Sequence, residues 1–484
     1  MDERLTSLRG TDPPVVQLAR TVSVPTTPVL QRLVLIVAVL AAFVAFLDGT
    51  VITVALPAIT RELGGGIVTQ QWVMDAYLIT LGSIILLAGS LSDAFGRKKV
   101  LFWGLLGFGA ASLICAIAPT AGVLIAARAL QGVAGALLVP SSLALILSTF
   151  SGPAQAKAIG SWTAWTSTAF LAGPLIGGLL VDLVSWRLVF AINVVPIALT
   201  LFFLARLPHD KPAAAGARVD VTGAALGIVG LGLPVFALIE QSNFGWASPV
   251  IFVPAAVGAA SFVLFILHER RTAQPMMPLS LFRVRNFSVG NVSTLFVYGA
   301  LSLGTFLLAV FLQQVAGYSA TLAGLSTLPT TIISIALSTQ IGRLAGRFGS
   351  RLFMFVGPIV SGVGFLLLLR VTDSADYWSQ VFPGIVVFGL GMTITVAPLT
   401  SAILGSIEQA HAGIASAVNN AVSRVAGLIA VAAAGLIVGS NLDVAGFHRA
   451  AIVTGVLLIV GGVISGIGIV NSHPTDAQAK AATR

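Results

Sequence analysis

Apolar stretches of roughly twenty residues, the length that carries an α-helix across the hydrocarbon core of a bilayer, recur along the whole chain. They begin near Leu33, Gln70, Val100, Ala121, Ala158, Leu188, Val221, Pro249, Phe287, Ala320, Leu352, Val381, Ala412 and Ala450. Lipid cannot satisfy a backbone N–H or C=O, so each run is expected to form a helix. About fourteen membrane helices are predicted. Of the 484 residues, 57% are hydrophobic and only 9% are charged, whereas about 25% are charged in a soluble domain. No sizeable soluble domain fits. Cys115 is the only cysteine, which excludes an intrachain disulfide or a cysteine-based metal site. The His residues are scattered, and nothing resembles a metal site or a catalytic triad.

The basic residues set the orientation. With the N-terminus inside, 20 of the 26 Lys and Arg fall in inner segments, 4 in outer segments and 2, Arg128 and Arg424, within helices. This bias predicts that both termini are cytoplasmic and that the chain is a multi-pass protein of the cell membrane. The net charge of +9 is thus a topology signal, and nucleic acid is excluded as a partner because no folded soluble face gathers the basic side chains. The polar, proline-containing start reads as a cytoplasmic tail. A cleaved signal peptide is not expected, because the first apolar run is too long and leads straight into further spans.

An internal repeat organises the spans. Gly89-Ser90-Leu91-Ser92-Asp93-Ala94-Phe95-Gly96-Arg97-Lys98 returns as Gly342-Arg343-Leu344-Ala345-Gly346-Arg347-Phe348-Gly349-Ser350-Arg351, with Gly, Leu, Phe and Gly in register. The expected fold is all-α and polytopic: a tail at 1–32, a six-helix bundle at 33–206, a linker with two extra helices at 207–286, a second six-helix bundle at 287–470 and a tail at 471–484. The stretch Pro208 to Arg218 reads as the linker.

Three ionisable residues interrupt the apolar runs of the first half. Asp48 lies deep in the run from Leu33 to Ile59, Asp75 follows Gln70 closely, and Arg128 sits in the run after Ala121. All three are expected in the outer half of the membrane, with both acids near Arg128. Ionised groups in hydrocarbon are costly and by default functional, which points to a proton-using transporter. A static ion pair, or an acid that snorkels to water, is the plain alternative. Burial raises a carboxyl pKa and a neighbouring guanidinium lowers it, so such a cluster can load and release a proton.

The motifs carry a family resemblance over essentially the whole chain. Gly89 to Lys99 resembles the loop signature of the major facilitator superfamily, Leu124 to Gly135 its helix-four signature, and Gly173-Pro174-Leu175-Ile176-Gly177-Gly178 its helix-five antiporter signature. Leu47 to Pro57 resembles the helix-one signature of the fourteen-helix drug:proton antiporter branch, as do Phe311-Leu312-Gln313-Gln314 with Gly317-Tyr318-Ser319, and Asn420 with Arg424. Ala169 departs from the antiporter signature, which usually has Gly there. Asp75 stands where many relatives have a neutral residue, and a subset of multidrug exporters resembles this chain at that place. No buried acid is placed in helices nine to fourteen.

The resemblance implies a major facilitator fold and export of hydrophobic or amphipathic compounds, with cations favoured, in exchange for protons by alternating access. Asp48, Asp75 and Arg128 are the proton-coupling candidates. Gly89 and Gly96 would permit close approach of the backbone, and Asp93 would meet Arg97 or a helix end and lock the cytoplasmic side; topology alone is the rival reading of the basic residues there. Gly173, Pro174, Gly177 and Gly178 would bend helix five and seal the two halves. Trp165, Phe170, Tyr298 and Phe306 are candidates to line the substrate cavity, whereas Trp72 and Trp162 also suit an interfacial belt. Arg424 either balances an acid or substrate or bonds helix carbonyls. The expected partners are a small-molecule substrate, protons and the lipid bilayer, with no cofactor, the proton gradient as energy source and a monomeric assembly. The rival functions are a dedicated metabolite or antibiotic exporter, a proton-independent lipid or solute facilitator and, from another class, a membrane receptor or membrane-embedded enzyme.

Overall fold

The computed structural model describes residues 27–208, 220–272, 275–408, 412–439 and 442–471. The N-terminal tail before residue 27, most of the expected linker and the C-terminal tail after residue 471 lie outside the described residues, as do the side chains of Asp93 and Phe170.

The first bundle holds α1 (Pro28–Leu63), α2 (Gly66–Phe95), α3 (Arg97–Ala116), α4 (Ala121–Thr149), α5 (Gly152–Leu183) and α6 (Leu188–Ala205, broken at Ile192 and Asn193). The two extra helices are α7 (Val221–Phe244) and α8 (Pro249–Arg271). The second bundle holds α9 (Arg285–Gln314), α10 (Ala320–Phe348, broken at Thr327), α11 (Ser350–Leu367), α12 (Tyr377–Leu404), α13 (Ala412–Ala432, continued by Ala434–Val438) and α14 (Val444–Gly468). Among the described residues 13 helices are long and apolar enough to span a membrane, and α5 adds the shorter apolar stretch Ala172–Leu183. The chain is therefore an all-α polytopic membrane protein.

Helix ends follow capping chemistry more closely than hydropathy. Thr27 accepts a hydrogen bond from the Leu30 N–H with Pro28 at the first helical position, so α1 starts five residues before the apolar run at Leu33. Asp443 likewise caps α14 through the Gly446 N–H, ahead of the predicted start at Ala450. A helix does not have to end where hydrocarbon ends. The sharp turns between α2 and α3 and between α10 and α11 use Gly96 at φ 93° and Gly349 at φ 84°, matching positions of the internal repeat. Nothing lies within 4 Å of a β carbon built on Gly89, so the close approach expected of that glycine is not found. It occupies open space in α2.

Within the first bundle α1 packs on α4, α5 and α6, and α4 also packs on α2 and α3. In the second, α11 packs on α12 and α14, while α9 packs on α13 and α14. The two bundles meet through α2 against α13, α5 against the first turns of α10, and α1 against α9. The α7–α8 pair lies alongside, with α7 on α2 and α13. Trp72 of α2 donates its indole N–H to Glu240 of α7 at 2.7 Å, which gives that ring a polar tie rather than a purely interfacial place. At the other end of the hairpin, His268 of α8 lies 2.9 Å from the Asp220 carboxylate that caps α7.

Candidate functional site

Five helices converge on one buried carboxylate. Asp48 of α1 and Arg128 of α4 form an ion pair with Nη1 to Oδ2 at 2.6 Å, each side chain only 1% exposed. The other carboxylate oxygen, Oδ1, accepts from Gln131 Nε2 and from Asn193 Nδ2, both at 2.9 Å. Those two amides also donate to Ser112 Oγ of α3, at 2.8 and 3.1 Å. Arg128 is held in turn by the Gln131 carbonyl at 2.7 Å and, through Nε, by the backbone oxygen of Val73 at 3.0 Å. Its guanidinium stacks over Tyr77, 4.3 Å from the ring centroid. Charge and hydrogen-bonding capacity of Asp48 are thus both met, as a buried ion pair requires.

Local sequence explains the convergence. Gln131 is one helical turn beyond Arg128 and shares its face. Asn193 sits at the break in α6, which turns its amide into the cluster. Val73 and Tyr77, four residues apart on α2, present a carbonyl and a ring to the same guanidinium. Sequence reasoning missed Gln131, Ser112, Asn193 and Tyr77; polar residues inside otherwise apolar spans were the available signal.

Asp75 stands apart from this cluster, contrary to the expectation that both acids adjoin Arg128. Its side chain is fully buried, and neither carboxyl oxygen has a hydrogen-bond partner among the described residues. The physical reason is helical phase. Gln71 and Gly82 share the Asp75 face of α2 at spacings of four and seven, whereas Val73 and Tyr77 lie on another. Gln71 donates to the backbone oxygens of Val431 and Ala432 in α13, each at 2.8 Å, and Gly82 abuts the base of Arg424. Asp75 therefore faces the contact between the two bundles.

The helix-five glycines divide between two neighbours. Gly173 and Gly177 pack against α1: a β carbon on Gly177 would lie 2.7 Å from the Val51 side chain, and one on Gly173 would collide with Thr50. Gly178 and Pro174 meet the second bundle instead. A β carbon on Gly178 would lie 2.6 Å from the Thr321 Cα, and one on Gly324 of α10 would strike the Pro174 carbonyl. Next to them Asp182 accepts from the backbone N–H groups of Ala320 and Thr321 at 3.1 and 2.7 Å. Since successive helices alternate in direction, these contacts and the Gln71 bonds all lie on the membrane face away from the termini. Asp182 and Gln71 were not singled out by sequence.

The remaining candidates are dispersed. Arg97 opens α3, and Lys98 beside it donates to the Leu207 carbonyl at the end of α6. Trp165 is 59% exposed on α5, and Tyr298 is partly buried on α9. Phe306 does not line a cavity: it is fully buried among Val51, Ile52 and Val310, because α9 packs on α1 at that level. Arg424 is partly exposed, with its guanidinium 5.8 Å from the Phe46 ring of α1 and no bond to a helix carbonyl among the described residues.

Known proteins agree with this architecture. The family model described as Major Facilitator Superfamily matches residues 38–431 and, separately, 290–484. The methylenomycin A resistance protein of Bacillus subtilis (strain 168) is 36% identical over 407 residues, covering 84% of this chain and 87% of that protein. The multidrug resistance protein Stp of Mycobacterium tuberculosis (strain CDC 1551 / Oshkosh) is 34% identical over 418 residues, 85% of this chain and 77% of that one. A puromycin resistance protein of Streptomyces alboniger is 34% identical over 406 residues, with coverage of 82% and 80%. Among solved structures, a POT family transporter in complex with a thioalcohol-conjugated peptide superposes with a TM-score of 0.67 at 14% identity, covering 90% of this chain and 94% of that one, a likeness of fold alone. With the family model spanning both bundles and relatives matching along most of their length, this chain belongs to the Major Facilitator Superfamily.

Proposed function

We propose that the protein is a drug:proton antiporter that exports hydrophobic or amphipathic compounds by alternating access. The observation that carries this reading is Asp75, a fully buried acid whose two oxygens have no hydrogen-bond partner among the described residues, on the face where the two bundles meet. A carboxylate there has no counter-ion, so the closed contact favours the proton-loaded side chain; release of the proton favours separation of α2 from α13 and admission of water. The charge state of one residue then biases the equilibrium between two packings, which is what coupling requires.

Asp48 and Arg128 have a different task in this scheme. Their pair is satisfied on every side by Gln131, Asn193, Ser112 and Val73, and it holds α1, α2, α3, α4 and α6 as one body. Rocking of the bundles needs such rigid halves. Asp182, Gly178 and Gln71 form the closure between the halves, placed on the extracellular side by the basic-residue bias. Resistance to antibiotics or several drugs, the property in the relatives' names, is the cellular role that fits an exporter of this kind.

The test is accumulation in intact cells. Cells producing the protein should retain less of a hydrophobic dye or antibiotic than cells lacking it, and an ionophore that collapses the proton gradient should abolish the difference. Export that persists after collapse would replace the antiporter with a proton-independent facilitator.

A further inference from the structure

The charged groups deep in the membrane-spanning helices are not all paired with one another. Asp48 and Arg128 cancel each other at 2.6 Å and are sealed from solvent. Asp75 is fully buried. Arg424 is different. It lies twelve residues into α13, about 18 Å along the helix at 1.5 Å per residue, and so near mid-membrane. Its side chain is partly exposed, and among the described residues it has no carboxylate within 4 Å and no hydrogen-bond acceptor. Gly82 of α2 packs on its Cβ, which holds the base of the side chain against α2. The ring of Phe46 lies 5.8 Å from its guanidinium. Asn420, one turn earlier on α13, is exposed.

We infer that Arg424 is the anion receptor of the transport cavity, and that the exported compounds carry a carboxylate or another delocalised acid on an apolar, aromatic-sized body. The inference rests on the export reading above. A guanidinium presents a planar fork of donors that matches a carboxylate, and the Phe46 ring near it offers an apolar surface beside the charge. A cation at membrane depth calls for a counter-charge, and among the described residues no carboxylate lies within 4 Å of it. The same arrangement disfavours lipophilic cations, which would meet Arg424 while Asp48 and Asp75 are both buried. On this inference acids are the preferred cargo, in place of the cations expected from Asp75 in the sequence.

Three probes on one skeleton separate the possibilities: 1-naphthaleneacetate, 1-naphthaleneacetamide and 1-naphthylmethylammonium. Binding to the purified full-length protein in nanodiscs should rank the acid about tenfold or more above the amine, with the amide between. Arg424→Gln should remove that ranking and Arg424→Lys should keep part of it, while Asp75→Asn should leave it unchanged. Tighter binding of the amine by the unaltered protein overturns the inference without requiring any variant to fold. So does an Arg424→Gln effect that disappears in an Asp75→Asn background, which would make Arg424 the partner of Asp75. Parallel flux in proteoliposomes keeps the two readings apart. Gradient-driven export of the amine but not the acid leaves antiport standing and sinks the anion receptor; Arg424-dependent binding of an acid that no gradient moves does the reverse.

Discussion

The carboxylate of Asp182, at the end of α5, accepts a hydrogen bond from the backbone N–H of Thr321 in the first turn of α10 at 2.7 Å. One side chain of the first bundle thereby satisfies backbone donors that the second bundle's helix leaves open at its N-terminus. A hydrogen bond to a charged group contributes about 1.5 to 3 kcal/mol. Asp182→Asn is therefore expected to weaken closure on this face and raise the open population about tenfold or more. Spin labels at Leu183 and Leu322, 76% and 54% exposed, report the distance between α5 and α10 directly. An unchanged distance distribution would show that closure does not depend on Asp182.

Gly178 tests the same contact sterically. Its β carbon would lie 2.6 Å from the Thr321 Cα, with backbone on the far side and no flexible side chain to yield. Gly178→Val should hold the bundles apart on this face and arrest export, because overpacking typically costs about 1 to 3 kcal/mol. Gly227→Ala is the control, since nothing lies within 4 Å of that position. Cysteine accessibility at Leu322 should rise in the first variant and stay level in the second.

Removing Arg128 leaves Asp48 as a buried charge without its partner, at a cost of about 3 to 5 kcal/mol. Arg128→Ala should lower the thermal unfolding temperature and the yield of folded protein. Adding Asp48→Ala should cost less than the sum of the two single changes, the mark of a coupled pair. Additive losses measured by intrinsic fluorescence would mean that the pair does not hold the bundle together.

Topology can be read with single cysteines. Cysteines replacing Lys98 and Arg271 should stay unlabelled by an impermeant maleimide applied to intact cells, as the basic-residue bias requires. Cys115 is fully buried and adds little background. Labelling from outside would invert the orientation and place the Asp182 contact on the cytoplasmic side.

Much of the fold is legible in the sequence because spanning helices announce themselves by apolar length, and the repeat of Gly96 at Gly349 marks the two halves. Asp48 and Arg128 stood out for the same reason, as charges where charge is costly. Their partners did not. Gln131, Ser112 and Asn193 are uncharged, and an uncharged polar residue in a span signals little until helix phase brings it within bonding distance. Phase also separated Asp75 from Arg128: Val73 and Tyr77 turn toward the guanidinium, and Asp75, between them in sequence, turns away. The residue type of Phe306 suggests cavity lining, yet which side of α9 meets α1 is a tertiary fact. Asp182 escaped notice because its partners are backbone N–H groups in another bundle, which no side-chain pattern encodes.

Proton coupling through Asp75 is read by measuring proton movement together with substrate movement. Purified protein in liposomes carrying an internal pH dye should move protons out of the lumen when an exported compound is added outside, and an imposed pH gradient should drive uphill flux. Asp75→Asn has no hydrogen bond to lose among the described residues, so its unfolding temperature should stay close to that of the unaltered protein. Its gradient-driven flux should fall about tenfold or more, as loss of the coupling free energy predicts. Full substrate-linked proton movement in a folded Asp75→Asn protein would contradict the account.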